Sequence, residues 1–133
     1  MFVKEIMTDK IVSVDSNETI KNACDIYRDK KVGCLIVTEK DDIVGIITER
    51  DFIERTICND KDAKTTIVKD IMTSEIKTIN ADDRVSQALD KIQQYKIKKL
   101  PVVDKNQLVG IITITDIAYS RSRNNIRNMI RED

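Results

Sequence analysis

The chain contains an internal duplication with a constant offset of 65 positions. Aligning residues 3–53 with residues 68–118 needs no gap and gives 18 identities in 51 pairs. Average residue usage predicts about 3 such identities, so the repeat is not accidental. One repeat of about 50 residues rarely buries a stable core alone. We therefore expect two units that pack with pseudo-two-fold symmetry and form two related clefts.

The most similar segments of the repeats are residues 43–51 and 108–116, with the sequences IVGIITERD and LVGIITITD. Each reads as a short apolar strand that contains one glycine and is followed by Thr-x-x-Asp. A glycine inside a strand often marks a close approach of another group to the backbone. A threonine followed three residues later by an acid resembles a helix capping box. Each segment thus predicts a strand leading into a helix N-terminus that can face a ligand.

The remaining residues of each repeat predict a strand, a helix and a hairpin before that last helix. The helices show the apolar spacing i, i+3, i+4, i+7 at Ile20, Ala23, Cys24, Tyr27 and at Val85, Ala88, Leu89, Ile92. The predicted strands cover residues 11–14, 34–37, 76–79 and 100–103, and four-residue turns at 39–42 and 104–107 close the hairpins. Asp15 with Glu18 fits a capping box at the first helix. The predicted fold class is α+β, with a strand-helix-strand crossover in each repeat.

Residues outside these elements divide the chain. We assign a first motif to residues 1–58, a polar linker to 59–67, a second motif to 68–120 and a helical or flexible tail to 121–133. The strings VKEIMT and VKDIMT predict short turns or one-turn helices that open the repeats, and their methionines, Met7 and Met72, are interpreted as core residues. Pro101 lacks a backbone donor, so it is expected at an edge or at the start of a strand.

Composition excludes several functions. The 23 basic residues equal the 23 acidic ones, so no overall field attracts nucleic acid or a membrane. The chain has no histidine, which removes the commonest general base and metal ligand. Its three cysteines lack metal-motif spacing and are expected to act as small hydrophobes. No catalytic residue, metal site or catalytic cofactor is predicted.

Targeting features are also missing from the sequence. No segment approaches the roughly 20 apolar residues that a membrane span needs. Lys4 and Glu5 interrupt any apolar stretch at the N-terminus, so no signal peptide is predicted. A cytoplasmic location is the resulting expectation.

Taken together, the repeated strings resemble tandem CBS motifs, the pair often called a Bateman module, of the stand-alone prokaryotic type. The resemblance rests on VKEIMT, VKDIMT, the LPVVD of residues 100–104, IVGIITERDFI and LVGIITITDIA. It implies a non-catalytic regulatory module, usually a homodimer, that signals to an unknown partner protein. It also implies clefts that bind an adenosine-containing ligand such as AMP, ADP, ATP or S-adenosylmethionine.

The resemblance also assigns roles within each cleft. The aspartate of Thr-x-x-Asp would hold the ribose hydroxyls and the threonine would reach phosphate, which implies Thr48 with Asp51 and Thr113 with Asp116. An ionised carboxylate accepts several hydrogen bonds, which suits a vicinal diol. The residues that would wall the base are Ser13, Val14, Cys34, Leu35 and Ile36 in one cleft and Thr78, Ile79, Lys99, Leu100 and Pro101 in the other.

The positive charge expected near a phosphate differs between the repeats. Lys98 and Lys99 precede the Leu-Pro-Val string of the second repeat, and the first repeat has no basic pair there. Arg50 is the candidate cation in the first repeat, and its counterpart Thr115 is uncharged. The two clefts are therefore expected to bind ligand with different affinities.

Three other interpretations stay open. The Thr-x-x-Asp pairs could be helix caps alone, each contributing roughly 1 kcal/mol. The module could serve only for dimerisation or docking, with no ligand. Binding of nucleic acid through the arginine-bearing tail is less favoured, because Glu132 and Asp133 dilute its charge.

Overall fold

A computed structural model describes residues 1–121, which fold into two compact units. The first-repeat unit is Ile11–Ile76, and the second-repeat unit combines Met1–Lys10 with the chain from Lys77 onwards. The segment that opens each sequence repeat thus belongs to the unit built by the other repeat. The predicted tail lies outside the described residues apart from Arg121.

The described elements confirm the α+β class. In chain order they are α1 (Val3–Ile6), β1 (Ser13–Asp15), α2 (Ile20–Lys30), β2 (Cys34–Glu39), β3 (Asp42–Thr48), α3 (Glu49–Phe52) with a π-helical turn over Ile53–Ile57, a 3-10 turn (Val68–Asp70), β4 (Ile79–Asn80), α4 (Val85–Tyr95), β5 (Lys99–Asp104), β6 (Gln107–Thr113) and α5 (residues 114–121). None of the helices within residues 1–121 is long and apolar enough to cross a membrane.

Each unit contains a three-stranded sheet with the same connectivity. The orders are β1-β2-β3 and β4-β5-β6. The first two strands of each sheet are parallel and are joined through a helix, whereas the last two form an antiparallel hairpin. The strand-helix-strand connection and the hairpin predicted for each repeat are confirmed.

The hairpin turns are shorter than the sequence predicted. Lys40 and Asp41 form the first turn with φ of 51° and 68°, and Lys105 and Asn106 form the second with φ of 50° and 65°. Two consecutive residues with positive φ are typical of a type I′ turn, whose twist matches that of the flanking strands. The strands therefore extend to Glu39 and Asp104, and two residues rather than four connect them.

The capping box predicted at Asp15 and Glu18 is wrong. Helix α2 begins at Ile20, four residues later than a cap at Asp15 requires, and its N-cap is Thr19, whose hydroxyl accepts the Asn22 N–H at 3.2 Å. Asp15 is instead the last residue of β1, and its carboxylate accepts the Asn17 N–H at 2.8 Å. A short acid at a strand end can cap a turn as readily as a helix, so the sequence pattern did not separate the two.

The predicted helix stripes face the two cores. Ile20, Ala23, Ala88 and Ile92 are buried, and Cys24, Tyr27, Val85 and Leu89 are partly buried beside them. The first core adds Leu35, Val37 and Ile47, and the second adds Leu100, Val102 and Ile112. Burial, with a smaller contribution from the charge of Asp25, raises the pKa of the Cys24 thiol. A protonated thiol agrees with its interpretation as a small hydrophobe.

Pro101 lies inside the central strand of its sheet, contrary to the prediction of an edge or a strand start. In the first repeat the equivalent Ile36 donates its N–H to the carbonyl of Val12 at 3.0 Å. Pro101 has no N–H to donate, and β4 pairs with β5 only from Ile79 onwards. The short neighbouring strand leaves no ladder bond unmade at the proline, which is why a central position tolerates it.

The close approach predicted at Gly45 is made by the chain itself. Thr73 forms an antiparallel bridge to Ile46, with both N–H···O distances at 2.9 Å. A Cβ on Gly45 would lie 2.5 Å from Met72 Sδ and 2.9 Å from the Thr73 carbonyl oxygen. The missing side chain therefore lets this segment lie directly against β3, and Met72 packs on the first core as predicted.

The second-repeat unit has the same arrangement at Gly110. Thr8 bridges Ile111 through two N–H···O bonds of 2.8 Å. A Cβ on Gly110 would lie 2.6 Å from Met7 Sδ and 2.9 Å from the Thr8 carbonyl oxygen. Met7 packs against the second core, so its interpretation as a core residue is also confirmed. We call residues 71–73 of one unit and residues 6–8 of the other the passing segment. In both units it brings a threonine next to the strand that ends in Thr-x-x-Asp.

Candidate ligand-binding site

In the first-repeat unit, Thr48 and Asp51 lie where β3 ends and α3 begins. The capping box predicted from the sequence is present, and the Thr48 N–H donates to Asp51 Oδ2 at 3.0 Å. This bond satisfies one of the free amides at the helix start and fixes the orientation of the carboxylate. Asp51 is buried, with 7% of its surface exposed.

The second oxygen of Asp51 faces two further groups. The Thr73 hydroxyl donates to Oδ1 at 3.3 Å, and the Arg55 Nε lies 3.6 Å from the same oxygen. Arg55 also donates through Nη1 to the carbonyl oxygens of Met72 at 2.9 Å and Ile71 at 3.3 Å. Both oxygens of the Asp51 carboxylate therefore have partners within the unit.

The second-repeat unit repeats the cap at Thr113 and Asp116. The Thr113 N–H donates to Asp116 Oδ2 at 3.0 Å, and the Asp116 N–H donates to Thr113 Oγ1 at 3.1 Å. The Thr8 hydroxyl lies 3.5 Å from Asp116 Oδ1, a longer contact than in the first unit. Asp116 is half-buried, and no basic side chain within residues 1–121 pairs with it.

Seven of the residues predicted to wall the base are buried, and Cys34 (4% exposed), Ile36 (2%) and Pro101 are three of them. The other four belong to the hydrophobic clusters of the two units: Val14 (5%), Leu35 (0%), Ile79 (2%) and Leu100 (0%). Only the backbone atoms of these residues remain available to a ligand.

The other wall residues lie beside the Thr-x-x-Asp motifs in the strand register. Cys34 is opposite Thr48 in the β2–β3 ladder, and Lys99 is opposite Thr113 in the β5–β6 ladder. Two residues further along the same strands, Ser13 pairs with Ile36 and Pro101 pairs with Ile111. Thr78 directly precedes β4, and its carbonyl accepts a bond from Lys91 Nζ at 2.8 Å. The start of each hairpin and its Thr-x-x-Asp thus meet at one sheet end.

The predicted cations differ in how they are held. Arg50 is exposed and its Nε pairs with Glu54 Oε2 at 3.0 Å on the outer surface of α3. Lys98 is exposed, and its carbonyl oxygen accepts the Ile114 N–H at 3.1 Å, which places its backbone at the start of α5. Lys99 is half-buried and Thr115 is exposed. Positive charge is therefore available beside both motifs.

Sequence reasoning missed three residues that contact the motif carboxylates. Thr8 and Thr73 end the identical Ile-Met-Thr strings of the two repeats, so their identity was a usable signal. Arg55 follows Asp51 by four residues, the spacing of neighbours on a helix surface. That spacing could have predicted the ion pair, but the contact of Arg55 with Ile71 and Met72 required the tertiary structure.

Comparison with known proteins identifies the repeats. The family model of the CBS domain matches residues 3–57 and again residues 68–123. The chain belongs to the CBS domain family. Its two CBS repeats stand in tandem, as the resemblance of the sequence strings implied.

Relatives of this CBS protein include a protein of nearly the same extent. It is 33% identical over 122 residues to the CBS domain-containing protein YhcV of Bacillus subtilis, covering 92% of this chain and 86% of that one. The structure of the hexameric CBS-CP12 protein from bloom-forming cyanobacteria is also similar, with a TM-score of 0.84 and 30% identity. The match covers 90% of this chain and 67% of that one.

A CBS pair also occurs inside a larger enzyme relative. The chain is 32% identical over 119 residues to inosine-5'-monophosphate dehydrogenase of Methanocaldococcus jannaschii. The match spans 88% of this chain but only 23% of that enzyme. The similarity concerns that part alone, and it gives no ground for assigning the enzyme's activity to this chain.

Proposed function

We propose that this protein is a non-catalytic regulatory module whose CBS repeats bind an adenosine-containing ligand and signal to a partner protein. AMP, ADP, ATP and S-adenosylmethionine are the candidate ligands. One observation carries the proposal. In both units a Thr-x-x-Asp carboxylate is fixed at a helix start, with a threonine of the passing segment beside it.

The chemistry of this arrangement fits a nucleoside. A fixed carboxylate is an acceptor for the two hydroxyls of a ribose, and hydrogen bonds to charged groups are the stronger ones. The hydroxyls of Thr48 and Thr113 are donors for phosphate. Arg50 in one unit, and Lys98 or Lys99 in the other, would supply the positive charge that a phosphate needs. The backbone at Ser13, Cys34 and their counterparts would border the base.

Regulation requires that ligand binding changes the protein. A ligand shifts a conformational equilibrium only by the difference in its affinity for the two states. The contacts of each motif carboxylate with a segment from the other sequence repeat provide such a difference. A ligand that alters the hydrogen bonds of Asp51 would also alter its bond with the Thr73 hydroxyl, and the same applies to Asp116 and the Thr8 hydroxyl.

Thermal unfolding tests the proposal directly. A ligand present at 100 times its Kd is expected to add about 2.7 kcal/mol to the free energy of unfolding. For a chain of 133 residues this corresponds to a rise in Tm of several degrees. The measurement is a melting curve with AMP, ATP or S-adenosylmethionine, with inosine monophosphate as the control. The absence of a shift with every adenosine compound would leave the docking interpretation as the better one.

We also propose that the chain forms a homodimer through the helices that follow the Thr-x-x-Asp motifs. Ile53 (51% exposed) and Ile57 (70%) lie on the π-helical turn after α3, and Ile114 (42%) and Tyr119 (61%) lie on α5. Each unit thus has large exposed apolar side chains on the helix after its motif, and such side chains favour a protein partner. The related cyanobacterial protein forms a hexamer, which agrees with self-association.

Replacing Ile57 by glutamate is expected to dissociate this dimer. Burial of an isoleucine side chain contributes about 1.5–3 kcal/mol, so each lost contact weakens association by roughly tenfold or more. Light scattering after size exclusion should show a change towards the 15.3 kDa of one chain. Ile43→Glu, on the exposed part of β3, is the matched control and should leave the dimer intact. A monomeric wild-type protein would refute the proposal.

A further inference from the structure

Arg55 distinguishes the two motif carboxylates. Its guanidinium lies 3.6 Å from Asp51 Oδ1 and also binds the carbonyl oxygens of Ile71 and Met72. The equivalent position of the second repeat is Ser120, an uncharged residue whose hydroxyl lies 3.2 Å from Met1 Sδ. The duplicated motif therefore has an internal cation in one unit only, as far as residues 1–121 show.

The two carboxylates consequently differ in the acceptor capacity left for a ligand. A carboxylate offers about four acceptor positions on its two oxygens. Asp51 uses Oδ2 for the Thr48 N–H, and its Oδ1 accepts from Thr73 and faces Arg55, with 7% of the residue exposed. Asp116 is half-buried, and within residues 1–121 its Oδ1 has only the 3.5 Å contact with Thr8. In this part of the chain, a ribose diol can reach Asp116 without displacing a charged group.

We propose that Arg55 competes with ligand for Asp51 and closes the first-repeat site. The guanidinium occupies the acceptor side that a diol would use, and its bonds to Ile71 and Met72 hold the passing segment against the helix. The site at Asp116 consequently fills first, and the Asp51 site fills only when ligand displaces Arg55. This inference rests on the proposed function and assigns an order of filling to its two sites.

Another role for Arg55 makes the opposite prediction. An arginine four residues after the motif aspartate could bind the phosphate of a nucleotide, because its planar fork suits that group. Its removal would then weaken AMP binding and leave adenosine, which has no phosphate, unaffected. If Arg55 competes for the carboxylate, its removal strengthens the binding of adenosine. Adenosine is therefore the decisive probe.

The experiment measures adenosine binding by calorimetry in an Asp116→Asn background, where only the Asp51 site is intact. Adding Arg55→Ser should lower the Kd by about fivefold, the upper range for releasing a solvent-exposed ion pair, because the Arg55 side chain is half exposed. Arg55→Gln keeps a donor for the Ile71 and Met72 carbonyls without the charge, and it serves if the serine variant fails to fold. Arg28→Ser, which removes an exposed arginine paired with Asp29 in the same unit, should leave the Kd unchanged.

Each result separates the two hypotheses. An unchanged or higher Kd in the folded Arg55 variants would overturn the inference, and so would two equal sites in the wild-type protein, while the proposed function would stand. Weaker AMP binding with unchanged adenosine binding would make Arg55 a phosphate ligand. If no adenosine compound binds the wild type or any variant, the proposed function fails and the inference fails with it.

Discussion

Replacing Asp116 by asparagine is expected to weaken AMP binding at the second-repeat site by roughly 10- to 150-fold. Asparagine has the shape of aspartate and keeps one oxygen for the Thr113 N–H, so the helix cap is retained. It has no negative charge, however, and the NH2 group that replaces the second carboxylate oxygen donates hydrogen bonds and cannot accept one from a ribose hydroxyl. A hydrogen bond to a charged group contributes about 1.5–3 kcal/mol, which sets the size of the loss. Calorimetric titration with AMP measures it.

Asp82→Asn is the control for this variant. Asp82 lies in the same unit and pairs with Lys4 Nζ at 2.8 Å, but both side chains are exposed. Its replacement removes one negative charge without touching the motif, so AMP affinity should stay within about twofold of the wild type. If Asp116→Asn binds AMP as tightly as this control does, the carboxylate is only a helix cap and does not hold a ribose.

Replacing Gly45 by alanine is expected to lower the free energy of unfolding by about 1–3 kcal/mol. The new methyl group would lie 2.9 Å from the Thr73 carbonyl oxygen, which is backbone, and 2.5 Å from Met72 Sδ. Met72 can rotate, but the Thr73 carbonyl is held by its bond to the Ile46 N–H. The passing segment must therefore move away from β3. A Tm about 5–10 °C lower than that of the wild type should result.

Gly33→Ala provides the matched control. Gly33 is exposed and its φ is not positive, so alanine fits its conformation and should change the Tm by little. Gly110→Ala should reproduce the loss, since its Cβ would lie 2.9 Å from the Thr8 carbonyl oxygen. A Gly45→Ala protein that melts within a degree of the Gly33→Ala protein would show that the segment can move at no cost. If Gly45→Ala loses ligand binding as well as stability, the bridge between Ile46 and Thr73 is needed to form the site.

Local features were predictable where one repeat's residues suffice to form them. The apolar spacing of α2 and α4, the hairpin strands and the Thr-x-x-Asp caps depend on neighbours within a few positions, and all of them are present. The first strand of each repeat is shifted from the predicted residues 11–14 and 76–79 to Ser13–Asp15 and Ile79–Asn80. The failures occurred where two local structures suit the same residues. Asp15 caps a turn after β1 rather than α2, and the hairpin turns tighten to two residues because a type I′ turn follows strand twist.

Contacts between distant parts of the chain were not predictable from the same patterns. The glycine of each strand indicated a close approach, but not that Thr73 and Thr8 make it. The tolerance of Pro101 in a central strand depends on how far β4 extends, which no residue of β5 encodes. The contact of Arg55 with Asp51 follows helix spacing, whereas its bonds to Ile71 and Met72 depend on the path of the passing segment.

The sequence by itself determined that one α+β unit occurs twice and that each copy ends in a carboxylate at a helix start. Periodicity and identity at an offset of 65 positions were sufficient for this, because both are properties of the chain order. Only the tertiary structure decided that the opening segment of each repeat joins the unit of the other repeat. It also decided that Asp51 meets an arginine, whereas Asp116 meets no basic side chain within residues 1–121. Such pairings depend on packing and backbone hydrogen bonds between segments far apart in the chain, which no local pattern specifies.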